Sequence, residues 1–145
     1  MRIKIKYNTP FLFSTKIPVR ISDINYGGHV GNDSFLSILH EARLQFLHSL
    51  NYTEMNIENA SIIMADSALQ YKAEAFYGDV LTIEISIDNF TEISFEIYYK
   101  ITKQKESEMI DVLYAKTGMV MYDYKDKKVI SVPNKFREKI LKISV

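Results

Sequence analysis

Residues 22–34, S-D-I-N-Y-G-G-H-V-G-N-D-S, bring Asp23, Asn25, His29, Asn32 and Asp33 together around two adjacent glycines. Imidazole is the one side chain that ordinarily changes charge near neutral pH, so His29 could take a proton from water or hold a polarised carbonyl. Asn25 can orient water or substrate, but an amide cannot accept water's proton. An amphipathic pattern begins immediately afterwards, which places the stretch at a helix N-terminus. The first N–H groups of a helix have no partner within it. Gly31, Asn32 and Asp33 could therefore offer donors to an anion or to a developing oxyanion, helped by the helix dipole.

Two further carboxylates belong to the set. Glu41 lies about two turns into the helix on its polar side; if a neighbouring subunit covered that side, burial would raise its pKa and make it a base. Asp66 interrupts the apolar run Ile62-Ile63-Met64-Ala65, and becomes a third acidic candidate if it points inward. Each group also has a structural reading. Asp33 can cap the helix. His29 can bond backbone, Glu41 can pair with Arg43 or a lysine, and a carboxylate in mid-strand usually faces outward. Asp23 can cap its turn or orient His29, the structural role being favoured. His40 and His48 read as ordinary helix residues.

The elements that must position these groups are legible from periodicity. A first strand is expected over 7–21, with Pro10 and Pro18 marking a late start or an edge. The helix is expected over 33–50, its apolar face made by Phe35, Ile38, Leu39, Ala42, Phe46 and Leu50. Leu36 and Leu47 widen that face, which predicts burial on more than one side. A β-rich half follows, with strands at 61–73, 81–88, 93–101, 109–124 and 129–132, and a short helix from Pro133 to about residue 142. The Tyr-rich run 114–124 reads as sheet and interface packing. A helix this apolar is best hidden by a curved sheet wrapped around it, with the later strands in meander. Such a sheet leaves edges that commonly meet another subunit.

The chain as a whole sets limits. Its 145 residues suit one domain with a substantial core. Eighteen basic residues against eighteen acidic ones give no global attraction to nucleic acid or an anionic membrane. The absence of cysteine excludes disulfides, thiolate metal sites and a Cys nucleophile. Three scattered histidines have no metal-ligand spacing, and no nucleophile-elbow serine, P-loop or paired-histidine zinc motif is present. The N-terminus is charged and alternating rather than a signal peptide, and no apolar run could span a bilayer, so a cytoplasmic location is expected.

The pattern resembles the hot-dog fold, an α+β architecture, and the loop resembles that of its acyl-CoA thioesterases of the 4-hydroxybenzoyl-CoA thioesterase type. The matching residues are Val19, Arg20, Asp23, Asn25, Gly28, His29, Val30, Gly31, Asn32, Phe35 and Leu36, followed by Glu41, Ala42 and Arg43. Tyr71 and Gly78-Asp79 match the second strand and its turn; Asp123 and Pro133 match the closing strand. The likeness spans nearly the whole chain. It implies one hot-dog domain over 1–145 that hydrolyses an acyl-CoA or acyl carrier protein thioester without metal or redox cofactor, in a homodimer or homotetramer with sites between subunits. Asn25 stands where much of the family has its working aspartate. The expected site is therefore Asn25, His29 and Glu41 for catalysis, Gly31, Asn32 and Asp33 for the oxyanion, and Asp23 and Asp66 in support. Two other readings fit the loop: a hydratase or dehydratase acting on enoyl thioesters, and a non-catalytic thioester-binding protein.

Overall fold

In a computed structural model, residues 2–144 are described. A curved antiparallel sheet carries strands β1 (Phe13–Pro18), β2 (Ser61–Tyr71), β3 (Val80–Asp88), β4 (Ser94–Lys105), β5 (Glu108–Asp123) and β6 (Lys128–Val129). One face holds helix α1 (Asn32–Ser49); helix α2 (Asn134–Ile143) closes the C-terminal end. This is the hot-dog arrangement.

The spatial order is β1-β3-β4-β5-β2, with β6 beside β5. Strands β3, β4 and β5 form the expected meander. The second strand does not join it there: β2 crosses to the far edge and pairs with β5, Ser61 opposite Tyr122 and Tyr71 opposite Leu113. The move leaves β2 with one neighbour and puts its exit, residues 71–76, beside the start of α1.

Burial explains why α1 lies where it does. Phe35, Ile38, Leu39, Ala42, Phe46 and Leu47 pack onto Ile83, Ile85, Ile97, Tyr99, Ile101 and Ala115, which alternate along the facing strands. Truncating a buried aromatic such as Phe46 to alanine should cost about 3–5 kcal/mol. Leu36 departs from the expected widened arc and is exposed, as is Leu44. The helix ends where Asn51 adopts a left-handed conformation at φ 63°.

The first strand is shorter than its pattern suggests. Leu12 still donates to the Ile85 carbonyl at 2.7 Å, but the residues ahead of it leave the sheet edge and cross its outer face, where Tyr7 packs against Tyr98 and Tyr114 with ring centroids 6.2 and 5.3 Å away. Tyr7 Oη donates to the Tyr99 carbonyl. The alternation in this segment reflects packing onto a sheet rather than pairing within one. No helix among the described residues is long and apolar enough to cross a membrane.

Candidate active site

The loop before α1 is shaped by its own backbone. A 3₁₀ turn at Ile21–Asp23 is closed by Asp23, whose carboxylate accepts from the Arg20 N–H at 2.8 Å and from its guanidinium at 3.1 Å. Asp23 is buried and has this turn as its task; it does not reach His29. The chain then folds on itself, with the Asn25 N–H donating to the His29 carbonyl at 2.9 Å. Gly28 takes φ +81°, a region costly for residues with a Cβ.

Asn25 and His29 come together above Gly27. A Cβ on that glycine would lie 3.2 Å from His29 Nε2 and 3.3 Å from Asn25 Oδ1. Asn25 Oδ1 accepts from the Gly27 N–H at 2.9 Å, which leaves its NH₂ group turned toward Gly31. His29 Nδ1 lies 3.2 Å from the Val30 carbonyl oxygen. A carbonyl can only accept, so Nδ1 carries a proton, which in the neutral ring leaves the lone pair on Nε2. That is the tautomer a general base requires.

The helix start corrects the expected donor set. Gly31 is the N-cap, and no side chain caps the helix, so Asp33 does not serve as the cap. The Gly31 N–H is spent on the Asp23 carbonyl (3.1 Å) and the Asp33 N–H on the Asn32 side chain (2.9 Å). Asp33 Oδ1 folds back over Gly31, where a Cβ would meet it at 2.6 Å. The first intrahelical bond is Phe35 N–H to Gly31 O. Among the described residues the N–H groups of Asn32 and Ser34 are left without partners, so the donors are alternate residues rather than three in a row.

A cavity of about 390 Å³ opens at this point. His29, Asn32, Lys72 and Glu74 supply its polar groups; Val30, Phe35, Tyr71 and Ala73 supply an apolar wall. Phe35 and Tyr71 pack ring to ring at 5.9 Å. An apolar wall with a few polar groups at one end is what a substrate with a greasy tail and one reacting carbonyl needs.

The other two carboxylates lie elsewhere. Glu41 is exposed, accepts from Gln45 Nε2 at 2.7 Å, and borders a separate cavity with Lys16, Arg20 and His40 between β1 and α1. Asp66 faces outward at a β-bulge, where its carboxylate takes the Gly118 N–H at 3.1 Å. Neither borders the His29 cavity. Arg43, expected near Glu41, turns inward to Glu54 at 2.7 Å and to Tyr99 Oη at 3.1 Å; Tyr99 in turn meets Thr117 at 2.7 Å. Burial pushes Glu54 up, but the bonds from Arg43 and His40 outweigh it and hold its carboxyl below the usual range. The periodicity missed Lys72 and Glu74 because they follow the end of a strand, where alternation no longer predicts direction.

Among the described residues no group of three His, Asp or Glu side chains is placed to hold a metal. Residues 19–140 match the model of the thioesterase-like superfamily. The chain belongs to that superfamily. Thioester hydrolysis is its activity. Over 128 residues it is 27% identical to the long-chain acyl-CoA thioesterase FadM of Escherichia coli (strain K12), covering 87% of this chain and 95% of FadM. The fold is shared with Slr0204, a 1,4-dihydroxy-2-naphthoyl-CoA thioesterase from Synechocystis, at TM-score 0.77 and 22% identity, covering 89% of this chain and 95% of that one. It is shared also with 4-hydroxybenzoyl-CoA thioesterase from Pseudomonas sp. strain CBS-3, at TM-score 0.76 and 18% identity, covering 87% and 96%.

Proposed function

We propose that this thioesterase hydrolyses acyl-CoA thioesters in the cavity bounded by residues 29–35 and 71–74. The observation that carries the reading is that His29, whose Nδ1 is engaged by the Val30 carbonyl and whose Nε2 is free, stands in the same loop as the unpartnered N–H groups of Asn32 and Ser34 at the start of α1. The acyl group lies along Phe35 and Tyr71, and the carbonyl oxygen points at the helix N-terminus.

Water's oxygen attacks the carbonyl carbon and forms the new C–O bond while its proton passes to His29 Nε2. The carbonyl π pair moves onto oxygen, where the Asn32 and Ser34 N–H groups stabilise it. Collapse restores the C=O bond, breaks the C–S bond, and the thiolate takes the proton from the imidazolium. The products are a free acid and CoA thiol. Asn25 orients the water through its NH₂ group and holds the Gly27 turn; it transfers no proton.

The working unit in this reading is a homodimer. Strand β2 has a free edge with Met64, Ala65 and Ser67 exposed, and Tyr71 at its end is half exposed beside the cavity. A second copy paired along β2 would cover that edge and roof the cavity. Sedimentation velocity tests this; a monomer at assay concentration with full activity would count against it.

The activity is tested by following free thiol release from a panel of short, long and aromatic acyl-CoAs. Release from at least one, lost in His29→Ala, is the expected result. Folded protein that releases none sinks the reading, and loss of enoyl-CoA absorbance without thiol release would indicate hydration instead.

A further inference from the structure

Among the described residues Glu74 is the one carboxylate bordering the cavity that contains His29. Among the described residues its side chain makes no hydrogen bond and no ion pair; the stretch around it is nevertheless pinned. Lys72 and Ala73 donate their N–H groups to the Val112 carbonyl at 2.9 and 3.2 Å. The Glu74 carbonyl accepts from the buried Lys103 ammonium at 2.7 Å, and that ammonium also pairs with Asp79 at 3.0 Å. The Ala75 carbonyl accepts from Val30, the residue after His29, at 2.8 Å. The Glu74 side chain is exposed and its carboxylate has no structural partner, while the backbone on either side of it is held, so its place beside the cavity is fixed and its carboxylate is free to act there. The chain holds an amide at Asn25, so that position brings no negative charge to His29.

We propose that Glu74 is a positioning residue of the hydrolytic site, its carboxylate holding the attacking water toward His29 Nε2 and balancing the imidazolium. The inference rests on the reading of His29 as base given above. The proton still goes from water to His29 and then to the leaving thiolate; Glu74 takes up none. Glu74 and His29 both border the cavity of about 390 Å³, so a water held in it can meet both groups. The other charged groups around His29 are Asp33, on α1 and turned back over Gly31, and Lys72, whose ammonium lies 5.1 Å from the Tyr114 ring. Asp79 and Lys103 sit behind the Glu74 backbone as a pair.

The experiment is the pH profile of Glu74→Gln and Glu74→Asp beside the unaltered enzyme. Glu74→Gln should lower kcat about tenfold to a hundredfold with KM within about twofold. Without the nearby anion the imidazolium forms less readily, so the acid limb of kcat/KM should move to lower pH. Glu74→Asp should recover part of the rate and move the limb back. A structural role would lower the melting temperature and leave the limb in place. Unaltered kcat and an unmoved limb in Glu74→Gln overturn the proposal while the hydrolytic reading stands. Failure of the unaltered enzyme to hydrolyse any acyl-CoA removes both.

Discussion

The N–H of Val30 donates to the carbonyl of Ala75 at 2.8 Å, and this bond ties the histidine loop to the segment that leaves β2. One residue back from each partner stand His29 and Glu74. Forty-five positions apart in sequence, they share a cavity because of that pairing.

His29→Ala should lower kcat by about 10²- to 10⁴-fold, the range for loss of a general base. Binding of a non-hydrolysable acyl-CoA analogue, measured by calorimetry, should change little, since the oxyanion donors are backbone groups.

Gly27→Ala separates geometry from stability. Its Cβ would crowd His29 Nε2 and Asn25 Oδ1 at 3.2 and 3.3 Å. The ring must give by a few tenths of an ångström, so kcat should fall about tenfold while the melting temperature barely moves. A fall in stability matching the fall in rate would contradict this.

Asn25→Asp keeps an acceptor for the Gly27 N–H and adds a charge beside His29. Stability should stay within about 0.5 kcal/mol. Combined with Glu74→Gln, it should restore part of the lost rate; thiol-release kinetics of the double variant give the answer.

Glu54→Ala leaves the buried Arg43 guanidinium without its carboxylate and should cost about 3 kcal/mol in denaturant unfolding. The sign with pH follows from a folded-state pKa below the unfolded value. Glu54 contributes stability above the unfolded carboxylate range near pH ~4.3, and the contribution is lost as pH falls through the folded value. The variant should therefore lose less stability on acidification than the parent does.

Lys103→Met removes the cation that bridges the Glu74 carbonyl and Asp79. Two part-buried charge-assisted bonds are lost, about 1.5–3 kcal/mol each at most. The rate should fall further than the stability explains, because residues 73–76 lose an anchor. Hydrogen exchange at Phe76 and Asp79 reports the loosening directly.

The sequence by itself determined the local half of this protein. The period of apolar residues in α1 and the alternation in β3, β4 and β5 are properties of neighbouring residues, and they emerge with small shifts of boundary. The glycines and polar residues of 22–34 likewise marked the loop, because turns and helix starts are built from short-range bonds. Tertiary structure decided the rest. Alternation cannot tell pairing in a sheet from packing on one, so residues 7–11 read as strand although they cross the outer face. It carries no information on strand order, so the placement of β2 beside β5 came only from the fold. That placement takes Glu41 and Asp66 away from the loop and brings Glu74 to it. Which carboxylate borders the His29 cavity is a matter of long-range pairing through Val30 and Ala75, and no spacing along the chain encodes it.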